Sequence, residues 1–225
     1  MTISELDGRA IPHETRLPAI MDALSGLAPG ESLVLIAPHH PAKLLQLLLS
    51  EFPGGFDFGP LECGPAAWRW QFTARDAALP RSVTGYLVWD HRRMENLLEE
   101  TLAAAVAGRW DDAHLHASRY ATALRRHADL EDEVLFPAYE SACGGFGDGP
   151  TAHMRAEHVE VRAGIDRLLR AVNARDAGAV RDADETLRRV ALEHHAKEEE
   201  ILFPSIDDTF PQPELDALVQ RLLMA

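Results

Sequence analysis

Apolar residues follow two different rhythms along the chain, and the change falls near residue 80. Ahead of it the apolar runs are short. Ser32 to Ala37 predicts a buried strand, Ala42 to Phe52 a helix, and Ala67 to Thr73, rich in aromatics and alternating, a second strand. Pro29-Gly30, Pro53-Gly54-Gly55, Gly59-Pro60 and Gly64-Pro65 supply turn punctuation between them. Residues 1–77 are therefore expected to form a small α/β domain. After Leu79-Pro80 the pattern becomes long and helical, with breaks at Gly108, at the Gly144 to Pro150 loop and at Gly178. Those breaks delimit four helices of roughly 20 to 25 residues, and a tail helix is expected from Pro213 to Leu223. Helices joined by short loops imply an antiparallel bundle, here over residues 82–225, so the fold class is mainly α.

Stepping three or four residues at a time gives the buried stripe of each helix. Helix one presents Leu87, His91, Met94, Leu98 and Leu102, and helix two Tyr120, Leu124, His127, Glu131 and Leu135. Helix three presents Met154, His158, Val161, Ile165 and Leu168, and helix four Val180, Leu187, Ala191, His194, Glu198 and Ile201. Each stripe carries one histidine, placed towards the start of helices one and three and towards the end of helices two and four. In an up-down-up-down bundle all four meet at one level.

Helices two and four also share a duplicated segment. His127 to Pro137 and His194 to Pro204 each set a histidine four residues before a glutamate, follow with an aliphatic-Leu-Phe run and close on proline. Residues four apart lie on one helical face, so each segment aims an imidazole and a carboxylate the same way. A single His-x-x-x-Glu pair is common on solvated helices, and a lone core histidine is usually a hydrogen-bonded packing residue. Duplication, with an in-phase histidine on each remaining helix, argues for a site.

An unpaired buried carboxylate costs several kcal/mol, and two facing each other repel, so something positive must lie between Glu131 and Glu198. No Lys or Arg occupies the stripes, which leaves bound cations. Four imidazoles and two carboxylates suit a first-row transition metal better than Mg or Ca and exceed what one zinc needs. Two metals bridged by the glutamates, each also held by two histidines, satisfy the inventory. At least one coordination position then stays open for water, dioxygen or another small molecule.

Several neighbours bear on the assignment. His195 and Glu199 share the four-residue spacing, but aligning the two Leu-Phe-Pro endings pairs His194 with His127, so His195 is expected about 100° away, towards a neighbouring helix or solvent. His153 falls off the His158 face, and His116 lies about 16 Å from His127. Met94, Tyr120 and Met154 could line the cavity, and Glu133 and Glu157 could accept from ligand N–H groups. His13, His39 and His40 could form a second polar or metal site, against turn and cap roles.

The chain has 225 residues, 46% hydrophobic and 26% charged, enough for one sizeable core or two small ones. Acidic residues outnumber basic ones 36 to 22, for a formal charge of −14. No basic cluster stands apart from neighbouring acids, so nucleic acid and anionic membranes are not expected partners. No leader-like or membrane-spanning stretch is read, and the cytoplasm is the expected compartment. Cys63 and Cys143 are isolated thiols, too few for a disulfide framework.

On these residues the segment from about 82 to 210 resembles the hemerythrin-like, or HHE cation-binding, family. That resemblance implies a four-helix bundle with a non-heme diiron centre of the Fe–O–Fe type, zinc or manganese being substitutes, with His91, His127, Glu131, His158, His194 and Glu198 as ligands. Oxygen-carrying hemerythrins have a further histidine where this chain has Met154, and an aspartate five residues after the last histidine instead of Glu198. The chain is more similar to the bacterial branch with four histidines and two glutamates, linked to nitrosative stress and iron-centre repair. The resemblance implies a protein that binds dioxygen, nitric oxide or peroxide at an open iron position, in sensing or stress response. A diiron enzyme for peroxide, oxygen or nitric oxide detoxification or iron-centre repair, and a structural metal module, are the alternatives. Residues 1–77 resemble a domain of unknown function with the two-layer fold of the TusA-like sulfur carriers, on Leu6-Asp7-Gly8-Arg9, Leu27 to Glu31, His40-Pro41, Gly64-Pro65 and Trp68-Arg69. Ile11-Pro12-His13 stands where those carriers keep Cys-Pro, so persulfide transfer is not expected.

Overall fold

The computed structural model describes residues 3–145 and 149–225, which leaves part of the expected Gly144 to Pro150 break outside the described residues. The chain divides into two compact units, Met1–Arg81 together with Leu223–Ala225, and Ser82–Leu222.

The first unit is an α/β domain of strand β1 (Ile3–Asp7), helix α1 (His13–Ser25), β2 (Ser32–Ala37), α2 (Ala42–Glu51), β3 (Phe56–Cys63) and β4 (Trp68–Ala74). The sheet order is β1-β2-β4-β3. β1 runs parallel to β2, which requires the crossover that α1 supplies, while β4 is antiparallel to both neighbours. Leu24 of α1, Leu45 and Leu48 of α2, and Phe58 and Phe72 of the sheet are fully buried and form its core. The expected strand Ser32–Ala37 is β2. Gly59-Pro60, expected to be a turn, lies instead inside β3. A proline cannot donate to a ladder, but among the described residues β3 is an edge strand paired only with β4, and its register shifts at Pro60 to Glu62.

The second unit is the helical bundle. α3 spans Val83–Val106, α4 Trp110–Leu130, α5 Phe136–Ala142, α6 Pro150–Asn173, α7 Ala177–Lys197, α8 Phe203–Thr209 and α9 Gln212–Met224. α3 packs on α4 and α7, and α6 packs on α7 and α4, closing a ring of four. Ser82 caps α3 by accepting from Gly85 N–H, and the Asp207 carboxylate of α8 accepts from Val83 and Thr84 N–H, so the first turn of α3 is tied to α8. Gly178 does not break the chain. The break falls at Arg175, in the left-handed region at φ 52°, and at Asp176, whose side chain caps Gly178 and Ala179 inside α7.

The duplicated segments do not end at their prolines. Glu131–Leu135 and Glu198–Leu202 are single π turns, and the helices resume as α5 and α8. Phe136 N–H donates to the Glu131 carbonyl and Phe203 N–H to the Glu198 carbonyl, the i→i+5 spacing of a π turn. A proline inside an α-helix lacks its N–H and clashes with the preceding turn. Here the backbone widens just ahead of Pro137 and Pro204, and Phe136 and Phe203 are fully buried on the far side. The widened turn also resets the helical phase: Leu202 is 5% exposed, whereas Ile201, expected on the buried stripe, is 65% exposed.

Candidate metal centre

His91 comes from α3, His127 from the end of α4, His158 from α6 and His194 from the end of α7, and Glu131 and Glu198 open the two π turns. All six side chains are buried. Their Nε2 atoms meet in pairs, His91 with His127 at 2.9 Å and His158 with His194 at 3.1 Å. Each glutamate offers one oxygen to each pair. Glu131 Oε1 is 3.6 Å from His127 Nε2 and its Oε2 is 3.1 Å from His158 Nε2. Glu198 Oε2 is 3.5 Å from His91 Nε2 and its Oε1 is 2.9 Å from His194 Nε2.

The opposite edge of every ring is committed. His91 Nδ1 lies 2.7 Å from Glu199, His127 Nδ1 3.0 Å from Asp90, His158 Nδ1 2.8 Å from Asp132, and His194 Nδ1 2.9 Å from Glu157. An ionised carboxylate only accepts, so each Nδ1 carries the proton and donates it outward, leaving the Nε2 lone pair aimed inward. The inner cluster therefore brings four nitrogen lone pairs against four carboxylate oxygens, and those oxygens have no hydrogen-bond partner among the described residues. Lone pairs at such distances repel unless a positive charge lies between them.

The donor set fits metal ions. With metal–nitrogen bonds of about 2.1 Å, nitrogens at the observed spacing subtend roughly a right angle at an ion between them, as adjacent corners of an octahedron do. Mixed imidazole and carboxylate donors suit first-row transition metals. The same field attracts protons. Burial presses the His91 ring down, but Glu198 and Glu199 outweigh it and lift it to about 9; His158 is likewise lifted to about 9 by Asp132 and Glu131 against burial. His194 is raised too, by Glu198 and Glu157 against burial. Glu198 is held well below the usual carboxylate range, its own burial overcome by His194 and His91.

The outer carboxylates differ in depth. Asp90 is 0% exposed and holds the buried Arg93 guanidinium, Oδ1 to Nε at 2.9 Å. Burial alone would raise Asp90, but Arg93 and His127 keep it far below the ordinary range. Asp132 pairs with Arg162 at 3.0 Å and Glu157 with Lys197, whereas Glu199 reaches solvent with a side chain 37% exposed. Of the two outer acceptors expected from the sequence, Glu157 takes the role; Glu133 is exposed, and Asp132 stands in its place. Asp90 and Glu199 were not foreseen. Both adjoin a proposed ligand in sequence, and that adjacency was the available signal.

The two halves of the site repeat one another. His91 and His127 are separated by the same 36 residues as His158 and His194, and Asp90 and His127 by the same 37 as Glu157 and His194. His195 breaks the repeat. Of the two expected directions, a neighbouring helix or solvent, it takes the first: it is 7% exposed and stacked on His91 of α3 with centroids 3.6 Å apart and planes at 10°. Neither of its ring nitrogens has a hydrogen-bond partner among the described residues. Burial, and then the charge on His91, hold this ring well below the ordinary histidine value.

A cavity of about 240 Å³ abuts the site, lined by Met94, Glu95, Tyr120, Arg188, Ala191 and His195 among others. Met94 and Tyr120 are in its lining, and Met154 is buried on α6. His153 is exposed and pairs with Glu157 at 2.9 Å, and His116 pairs with Glu100 at the same distance. Among the described residues, His13, His39 and His40 do not form a metal-capable group; His40 sits between the edges of Trp68 and Trp70. No helix among the described residues is long and apolar enough to cross a membrane.

Residues 83–187 match the hemerythrin HHE cation binding domain, and residues 5–74 match the uncharacterized conserved protein family DUF2249. No curated protein and no solved structure matches the chain. The hemerythrin match stops short of His194 and Glu198, which the fold brings into the same buried cluster. Residues 83–187 are thus a hemerythrin HHE cation-binding domain, preceded by a DUF2249 domain at residues 5–74, and the core of the bundle holds a histidine and glutamate cluster able to take a metal.

Proposed function

We propose that the bundle holds two non-heme irons, with His91, His127, His158 and His194 as nitrogen ligands and Glu131 and Glu198 as bridges. The bound pair would offer an open position to a small ligand such as dioxygen, nitric oxide or peroxide. The observation that carries this reading is the set of four buried carboxylate oxygens without hydrogen-bond partners, each facing an Nε2 whose ring has already donated its proton outward. Without an ion, protons drawn onto His91, His158 and His194 would supply the positive charge, whereas metal ions satisfy the four nitrogens and the four oxygens together. The outer carboxylates orient the rings and raise their basicity. The protein's part is to fix the donors, exclude bulk water and admit a small molecule along one wall.

A binding or sensing role is the first reading. The test is metal analysis of the full chain with optical spectra of the anaerobically reduced protein before and after dioxygen or nitric oxide. About two irons per chain, with reversible spectral change and no turnover, is the expected result; one zinc, or spectra indifferent to both gases, would overturn it. The cavity bordered by Glu95 and Glu99 favours a second reading, an enzyme reducing peroxide or nitric oxide, since it offers acidic groups beside a route inward. Multiple turnover in the same samples would select it.

A further inference from the structure

His195 is the place where the repeat between the two halves fails. Its counterpart, one residue after His127, is Ala128, and the counterparts of Tyr120 and Ala191 are Leu187 and Leu124. Ala128, Leu187 and Leu124 are buried hydrocarbon. On the His195 side the same positions supply an imidazole, a phenol and a small alanine, and there the 240 Å³ cavity lies.

A buried imidazole with both nitrogens unpartnered costs free energy unless something outside the protein completes it. His91, His195 and Glu198 lie close enough together to share an ion, but the ring geometry argues against coordination through His195. An imidazole lone pair lies in the ring plane, and the His195 and His91 rings are parallel within 10° at 3.6 Å. An ion on the His91 Nε2 axis is therefore a full ring spacing out of the plane of His195. A group bound next to His91, on the side of the stack, falls instead near the edge of the His195 ring.

Resting on the function proposed above, we propose that His195 is a positioning residue that donates a hydrogen bond to a small acceptor ligand held beside His91 at the inner end of the cavity. The ligand class is a two- or three-atom molecule with an exposed lone pair. Tyr120 and Met94 shape the approach, and the stack on His91 fixes the donor's height. The bundle thereby gains one ligand-admitting side, although its coordinating residues repeat in both halves.

The test uses the iron-loaded full chain with azide as probe, followed by optical titration, in wild type, His195→Phe and His195→Gln. Phenylalanine keeps a ring to stack and removes the donor; glutamine restores a donor without the ring. The expected result is unchanged iron content in both variants, azide affinity weakened about tenfold or more in His195→Phe, as for a lost hydrogen bond to a charged group, and partial recovery in His195→Gln. Equal affinity in wild type and His195→Phe overturns the proposal, and so does loss of iron from His195→Phe, which would make the ring a ligand. If loaded wild type binds no azide, the open position itself is refuted and His195 with it. That outcome is distinct from the first two, because it needs no variant.

Discussion

Asp90→Asn and Glu199→Gln separate two jobs that a histidine-bound carboxylate does in this fold. Both carboxylates accept from the Nδ1 of a proposed ligand, at 3.0 Å and 2.7 Å. Asp90 is also the partner of Arg93, which is only 4% exposed, whereas Glu199 reaches water. Asparagine at 90 removes the Asp90 charge from a buried guanidinium, a loss of about 3–5 kcal/mol when a buried pair is broken. For a chain of this length that is a fall of roughly 6–20 °C in Tm. Glutamine at 199 removes an accessible charge and costs at most about 1 kcal/mol. Both variants replace the ionised acceptor behind a ligand ring with a neutral amide that accepts more weakly and no longer raises the ring's basicity, so both should weaken metal binding by about 10- to 100-fold. Thermal unfolding of the metal-free chain, followed by circular dichroism, reads the first effect. Competition with a chromophoric chelator reads the second. Equal Tm losses in the two variants, or an Asp90→Asn protein as stable as wild type, would refute the reasoning.

The phase reset at the second π turn predicts that Ile201→Glu leaves urea stability within about 0.5 kcal/mol of wild type, while Leu202→Ala costs about 2–5 kcal/mol; a straight α-helix through this segment would bring the costs closer together. Glu140 accepts from Thr151 at 2.6 Å and pairs with Arg155, and the Arg155 contact, followed by that of Thr151, lowers its carboxyl below the ordinary 4.5. A depressed carboxyl stabilises the fold above its ordinary value and loses that contribution as pH falls through the lowered one. Glu140→Gln should therefore flatten the acid limb of a urea-midpoint profile by an amount below about 1 kcal/mol, leaving the neutral-to-alkaline part parallel to wild type. An unchanged acid limb would show the pair contributes nothing.

The inward stripes could be read from sequence because their chemistry is local. Three- and four-residue spacing fixes a helical face, so His91, His127, Glu131, His158, His194 and Glu198 could be placed on one level before any coordinates. Contacts between helices are not encoded that way. Asp90 lies off the apolar stripe of α3, and only the approach of α4 reveals it as the partner of His127. The angle between successive residues turns His195 towards a neighbouring helix or solvent without choosing between them, and in a ring of four helices the next face at this level is buried against His91. Gly59-Pro60 carries a strong local turn signal that the edge position of β3 overrides, because an unpaired strand edge does not need the missing N–H. The prolines at 137 and 204 read as terminators; the π turns that carry the helices past them are a backbone response that residue periodicity does not register.

The exchange of outer carboxylates between the two halves of the bundle has one more consequence. Asp90 and Glu157 serve a histidine within their own half, but Asp132 of the first half serves His158 of the second, and Glu199 of the second serves His91 of the first. Each hairpin thus leaves one of its own imidazoles unaligned until the other arrives. Cutting the backbone between α5 and α6 should yield fragments that regain ordered rings only by re-pairing, so the reciprocal debt makes assembly of the core an all-or-none event.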